Sequence, residues 1–179
     1  LLLSPNNLLK PSDGGPVAVP SQDMVLGIYY LTQERPGAPG EGKYFKSKNE
    51  AILAYENGVV TLHARIKVRV SRTMADGTEM TGIVETTVGR ILFNEIIPQD
   101  LGFVDRTIPG NELKPEIDFL VKKKQLKQIL EKVINTHGAM QTAITLDDIK
   151  AIGYKYSTRA AMTVSISDMT VPASKKQLL

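Results

Sequence analysis

The sequence predicts an α+β fold, with an antiparallel β-hairpin or small sheet flanked by helices and preceded by an irregular, turn-rich N-terminal segment. Three observations carry that expectation. Apolar and polar residues alternate from Leu62 to Val70, and an Asp-Gly pair follows shortly after, the pattern of a half-buried strand entering a hairpin. Leu126, Ile129, Leu130, Val133 and Ile134 recur instead at helical spacing. Ser47 with Glu50, and Thr145 with Asp148, have the spacing of capping boxes that open helices.

The elements follow in order. Residues 4–20 are dense in turn formers: Ser4-Pro5-Asn6-Asn7, then Pro11 to Pro16, then Pro20. Proline fixes φ and glycine supplies positive φ in such clusters. Val17-Ala18-Val19 is expected to be extended, because the residue before Pro20 is pushed out of the α region. Ser21 is a fitting N-cap for a helix through roughly Leu31, with Asp23 favourable in its first turn. Residues 35–43 carry two prolines and three glycines and predict a surface loop. The Ser47/Glu50 box opens a helix over about 48–57 that stops at Gly58.

The period then changes to two. Leu62, Ala64, Ile66, Val68 and Val70 should face a core, and His63, Arg65, Lys67 and Arg69 should face water. Met74-Ala75-Asp76-Gly77 is the hairpin turn. The returning strand, near 79–89, leads into Ile91-Leu92-Phe93, and Gly89 within it marks a bulge or a close backbone approach. A Pro/Gly-punctuated connector runs from Pro98 to Pro115. The helix built on Leu126 to Ile134 has five lysines on its other faces and just before it, at 122, 123, 124, 127 and 132, and ends at Gly138. Thr145 and Asp148 open a short helix to about Tyr154, and residues 156–172 show no clear period.

Composition narrows the function. With 179 residues, 42% apolar and 23% charged, the chain can bury one core, so residues 1–179 are expected to form a single unit. The absence of cysteine excludes disulfides, thiolate metal sites and cysteine nucleophiles. Two histidines leave little for a zinc site or a hydrolase triad, and 6% aromatics without tryptophan disfavour a base-stacking platform. The net charge of +3 permits contact with a polyanion without announcing it. No apolar run approaches the ~20 residues of a membrane helix. Leu1-Leu2-Leu3, with no basic region before it, is no signal peptide. The two ends predict a piece cut from a longer chain, cytoplasmic for want of an address.

Several constellations have a chemical and a plain reading. Same-face residues on a strand lie about 6.5–7 Å apart, close to the spacing of backbone phosphates. The stripe His63/Arg65/Lys67/Arg69 therefore reads either as a polyanion contact, the basis of an independent nucleic-acid-binding module, or as a solvated face paired with acids on a neighbour. Lys122, Lys123, Lys124, Lys127 and Lys132 read as phosphate attractors or as a helix's wet side. Asp147 and Asp148 diverge by about 100° on a helix and cannot chelate one ion together. Thr86-Thr87-Val88-Gly89-Arg90 lacks the Gly-Lys-Ser/Thr ending of a phosphate loop. His63 and His137 are expected at the surface or at helix ends. No nucleophile–base–orienter set is evident.

Longer strings then resemble a family. Asn6-Asn7-Leu8-Leu9-Lys10-Pro11, Asp13-Gly14 and Val19-Pro20-Ser21-Gln22-Asp23-Met24-Val25-Leu26-Gly27-Ile28-Tyr29-Tyr30 are similar to the largest (β′) subunit of bacterial DNA-directed RNA polymerases. The similarity continues through Leu62-His63-Ala64-Arg65-Ile66-Lys67-Val68, Thr86-Thr87-Val88-Gly89-Arg90 and Gly153-Tyr154, and ends in Ser165-Ile166-Ser167-Asp168-Met169-Thr170-Val171-Pro172. It spans essentially the whole chain. The resemblance implies a pore domain lining the secondary channel, through which nucleoside triphosphates enter and a backtracked RNA 3′ end extrudes. It implies a nucleotidyltransferase acting in DNA-templated transcription, with α, β, ω and σ subunits, DNA, RNA and transcript-cleavage factors as partners. The catalytic Mg2+ of that family sits on an Asp-x-Asp-x-Asp loop. No such run occurs between Leu1 and Leu179, so the isolated chain is expected to be inert.

By the same resemblance Gln22 stands near the inner mouth of the channel, and Asn6 and Asn7 hold the turn beside the aspartate loop. Arg65, Lys67, Arg69 and Arg90 either give the pore its positive potential or pair with the rest of the enzyme. Some members bind an alarmone nucleotide near the 140–151 segment through Lys and Tyr. Met140 and Ala151 stand at those positions here, a departure from that pattern.

Overall fold

The computed structural model describes residues 20–170, with side chains to residue 163. The turn-rich segment expected at 4–19, the extended Val17-Ala18-Val19, and both Asn6 and Asn7 lie outside the described residues. Within them the chain forms four helices and one three-stranded mixed sheet, an α+β architecture.

Helix α1 (Gln22–Thr32) begins where expected: the Ser21 side chain accepts from Met24 N at 3.2 Å. Met24, Ile28 and Leu31 recur at helical spacing and are buried. Loop 33–43 returns along the molecule to β1 (Tyr44–Phe45). The Ser47 cap opens α2 (Lys48–Glu56) by accepting from Glu50 N at 3.1 Å. The Glu50 carboxylate reaches one residue past the usual box partner and accepts from Lys46 N.

Strand β2 (Ile66–Thr73) and strand β3 (Glu79–Thr86) pair antiparallel, from Ile66 opposite Thr86 to Thr73 opposite Glu79. The turn falls at Met74–Gly77 as predicted, with Gly77 at φ 87°. β1 adds in parallel on the other edge of β2, Tyr44 opposite Lys67. The strand starts at Ile66, not at Leu62. Leu62, His63 and Ala64 are consecutively buried, because this stretch is an irregular seam between helices rather than a pleat with a wet side. Leu62 O accepts from Gly89 N, and His63 O accepts from Arg35 N.

The returning strand also ends earlier than expected. Thr87 leaves the sheet and caps α3 (Val88–Ile96), its hydroxyl accepting from Arg90 N at 3.1 Å. Thr-Thr-Val suits a strand, but an extended threonine is also a good N-cap, and the cap won. Gly89 is thus helical and not a bulge, although the close backbone approach is real: a Cβ there would lie 1.9 Å from Leu31 O.

Helix α4 (Lys123–Thr170) is two helical arms joined at Gly138, whose φ 82° and ψ −173° interrupt the path. Gly138 therefore ends the first arm as predicted. The second arm differs from expectation. Thr145 and Asp148 lie inside it rather than at a cap, Thr145 fully buried and Asp148 exposed, and the backbone stays helical through residues 156–170, where the sequence showed no clear period. α1 packs along this arm so closely that a Cβ on Gly27 would sit 1.7 Å from Gly153 O.

The core lies where these layers meet: Ile66 and Val68 from the sheet, Ile28 and Leu31 from α1, Phe93 from α3, and Leu126, Ile129 and Leu130 from α4 are all 0–1% exposed. The connector between α3 and α4 has no regular structure and is held by buried side chains instead. The Asn94 amide donates to Arg90 O and Ile117 O, and its carbonyl accepts from Ile117 N. Gln99 Oε1 accepts from Glu116 N. Glu116, 1% exposed, accepts from Phe103 N and pairs with Arg106 Nη1 at 2.8 Å. These bonds answer the backbone polar groups that helix or sheet would otherwise satisfy.

Candidate functional site

The predicted basic stripe resolves into four different environments. His63 is buried, an outcome contrary to the surface position expected for it. Its Nε2 lies 2.7 Å from Tyr30 O, and its ring meets the Tyr30 ring edge-on at 4.7 Å. Burial lowers its pKa below the usual histidine value, outweighing the backbone bond to Tyr30, and Arg35 pushes the same way.

Arg65 is spent on carboxylates. Its Nη1 lies 2.8 Å from Glu34 and 3.5 Å from Asp118, and its Nε lies 3.7 Å from Glu85. Burial opposes its charge, but the Glu34 hydrogen bond and the fields of Asp118, Glu34 and Glu85 together hold it more firmly protonated than usual. Of the two readings of the stripe, pairing with acidic neighbours is the one that holds at this position.

Arg90 shares that cluster from the inside. It is 6% exposed. Its Nε donates to Thr32 O at 3.0 Å, and its Nη1 lies 3.5 Å from Asp118 and 3.6 Å from Glu34. Burial pulls its pKa down against the attraction of Glu34 and Asp118, with Arg65 adding repulsion. A guanidinium starts so high that it stays charged. Arg65 and Arg90 thus clamp the end of α1, the start of α3 and the connector onto one side of the hairpin.

Lys67 and Arg69 alternate outward on β2 and are exposed. Arg69 Nε donates to Tyr44 OH at 3.0 Å. Neither has a carboxylate within ion-pair distance among the described residues. These two cations, beside the exposed Tyr44, are what remains of the stripe as a surface able to attract an anion. Gln22 is exposed at the first turn of α1, where free backbone N–H groups and the helix dipole favour negative charge. Next to it, Ser21 Oγ and Tyr154 OH are 3.0 Å apart.

Lys122, just before α4, and Lys123, Lys124 and Lys127 within it are exposed. Lys132 lies 5.1 Å over the Phe103 ring. His137, at the end of the first arm as expected, pairs with Asp100 at 2.6 Å.

Sequence reasoning missed Glu34, Glu85 and Asp118. Glu85 was recoverable: counting back from the Asp-Gly turn sets it opposite Lys67 and diagonal to Arg65. Glu34 and Asp118 come from separate loops and left no local signal. These acids do not fit the magnesium ion that the resemblance implies. They are oriented onto two guanidiniums, and among the described residues no group of three or more His, Asp or Glu could hold a metal.

Comparison with known proteins completes the picture. Residues 7–169 match the family described as RNA polymerase Rpb1, domain 3. The whole chain is 74% identical to 14% of the DNA-directed RNA polymerase subunit β′ of Lachnoclostridium phytofermentans. It is 58% identical to 15% of the β′ subunit of Acetivibrio thermocellus and 56% identical to 15% of that of Clostridium novyi. The chain thus spans about one-seventh of the length of these relatives.

Proposed function

The chain belongs to the RNA polymerase Rpb1 domain 3 family, as a fragment of a β′ subunit, and from that premise we propose that it forms a wall of the secondary channel. In this reading residues 1–179 are one pore unit of a cytoplasmic DNA-directed RNA polymerase, assembled with α, β, ω and σ subunits. Nucleoside triphosphates pass it on the way in, and the 3′ end of a backtracked RNA and transcript-cleavage factors meet it in the channel. The observation that supports the reading is that the whole chain matches about one-seventh of β′ subunits, at 74% identity to one of them.

Nucleotidyl transfer belongs to the assembled enzyme. Two-metal chemistry needs carboxylates free to hold both ions, and the described carboxylates around Arg65 and Arg90 are committed to arginine. The magnesium ligands are therefore assigned to polypeptide outside this chain, and the isolated chain makes no RNA.

The chain's own contribution is shape and charge. Lys67 and Arg69 attract polyphosphate electrostatically, an effect on arrival rate that fades as salt shortens the screening length to ~3 Å at 1 M. Gln22 offers an uncharged amide that hydrogen-bonds triphosphate or extruded RNA. Arg65 and Arg90 contribute by fixing the wall rather than by touching substrate.

The test is nucleotide addition by a reconstituted polymerase carrying Lys67→Glu and Arg69→Glu together. The expected result is a several-fold rise in KM for nucleoside triphosphate at low salt, little change in kcat, and convergence with the parent at high salt. An unchanged KM, or RNA synthesis by the isolated chain, overturns the reading.

A further inference from the structure

Lys155 and Arg159 stand one turn apart on the second arm of α4, and both are exposed. Neither has a carboxylate within ion-pair distance among the described residues. Like charges four residues apart on a helix repel each other. The pair therefore favours an acid that these residues do not supply.

Both cations are held over one ring. Lys155 Nζ lies 5.6 Å and the Arg159 guanidinium carbon 5.3 Å from the centroid of Tyr156, which is 3% exposed. Arg159 Nη1 donates to Tyr55 OH at 2.8 Å, which ties the arm to α2. Its other guanidinium N–H groups have no acceptor among the described residues. A fork fixed in this way loses little further freedom when it takes a partner.

The same residues border an open groove of about 370 Å³ between α2, α3 and the second arm. Ile52 and Leu92 give the groove an aliphatic side, and each is only partly buried. Glu56 also lines it but forms an ion pair with neither cation. The groove thus carries two positive charges against one negative, beside apolar surface that solvent reaches.

A guanidinium fork matches a carboxylate, and the aliphatic side suits a neighbouring apolar side chain. We propose that this groove docks an acidic segment of the polymerase lying outside residues 20–170, with a carboxylate on Lys155 and Arg159 and an aliphatic side chain against Ile52 and Leu92. The matching stretch is 14% of a β′ relative, so most of the polypeptide able to supply such a segment lies beyond it. The proposal rests on membership of a polymerase and not on the channel reading.

The experiment is carbodiimide cross-linking of the assembled polymerase that contains this chain, read by mass spectrometry of the linked peptides. The reagent joins an amine to a touching carboxylate as an amide, with loss of water. Lys155 is expected to link to an Asp or Glu outside residues 20–170. The link is absent in Lys155→Gln, falls several-fold in Arg159→Gln, where the fork is lost, and persists in Glu56→Gln. A link to Glu56 alone, or no link from Lys155, overturns the proposal. Protection of Lys155 from acetylation that appears only when RNA is bound overturns it as well, since the cations would then serve nucleic acid.

Discussion

Replacing Arg90 with methionine separates a buried structural charge from a surface one. The substitution keeps an unbranched apolar stem and removes the guanidinium. The Nε bond to Thr32 O, at 3.0 Å, is a charged hydrogen bond worth about 1.5–3 kcal/mol. The two Nη1 contacts, at 3.5 and 3.6 Å, go to acids that are 32% and 35% exposed. Solvent screening therefore limits each to ~0–1 kcal/mol. Arg65 remains to hold both carboxylates, so neither is orphaned. The loss comes to about 2–4 kcal/mol, which for a chain of this size lowers Tm by roughly 5–15 °C. Arg65→Met removes three contacts from a side chain that is 33% exposed, and should cost no more than about 1.5 kcal/mol. Chemical denaturation of both variants, followed by circular dichroism, reads the difference. A cost below about 1 kcal/mol for Arg90→Met, or an equal cost for Arg65→Met, would refute the assignment of Arg90 as the internal clamp.

Two further outcomes follow from the packing. Gly27→Ala forces α1 away from the second arm of α4, because the added Cβ meets Gly153 backbone at 1.7 Å; a loss of about 3 kcal/mol or more is expected in the same denaturation assay, and a neutral result would show that the two helices are not in backbone contact. Burial disfavours the charged form of His63, so its folded pKa lies below the ordinary histidine value of about 6.5. The unfolded chain then binds the proton first, and stability falls as pH drops below about 6.5, levelling once the folded His63 protonates in turn. Melting curves between pH 7 and 5 should show this slope in the parent and lose it in His63→Gln.

Much of the fold was legible because its signals were local. Ser21 and Ser47 cap the helices they were expected to cap, the Asp76-Gly77 turn sets the hairpin, and Gly138 breaks the long helix. The failures share a cause. Leu62 to Ala64 alternate like a strand but lie in a seam where both sides are covered, so polarity no longer reports exposure. Thr87 suits either a strand or a cap, and packing of α3 against α1 decided between them. Thr145 and Asp148 have cap spacing, yet burial of Thr145 and Ile149 keeps the helix running through them. The site was harder to read, because Arg65 and Arg90 differ from Lys67 and Arg69 only through Glu34 and Asp118, which reach the cluster from distant loops.

If this segment forms a wall of the secondary channel, it lies along the path of a backtracked RNA 3′ end. The chain contains no cysteine, so Gln22→Cys places a thiol at a known point in the segment. A polymerase assembled with that substitution, and stalled in a backtracked state on RNA bearing a thiol-reactive 3′ end, should form a disulfide to this segment, and the same complex with the RNA fully forward should form less. Equal cross-linking in the two states, or none in an enzyme that still extends RNA, would contradict it.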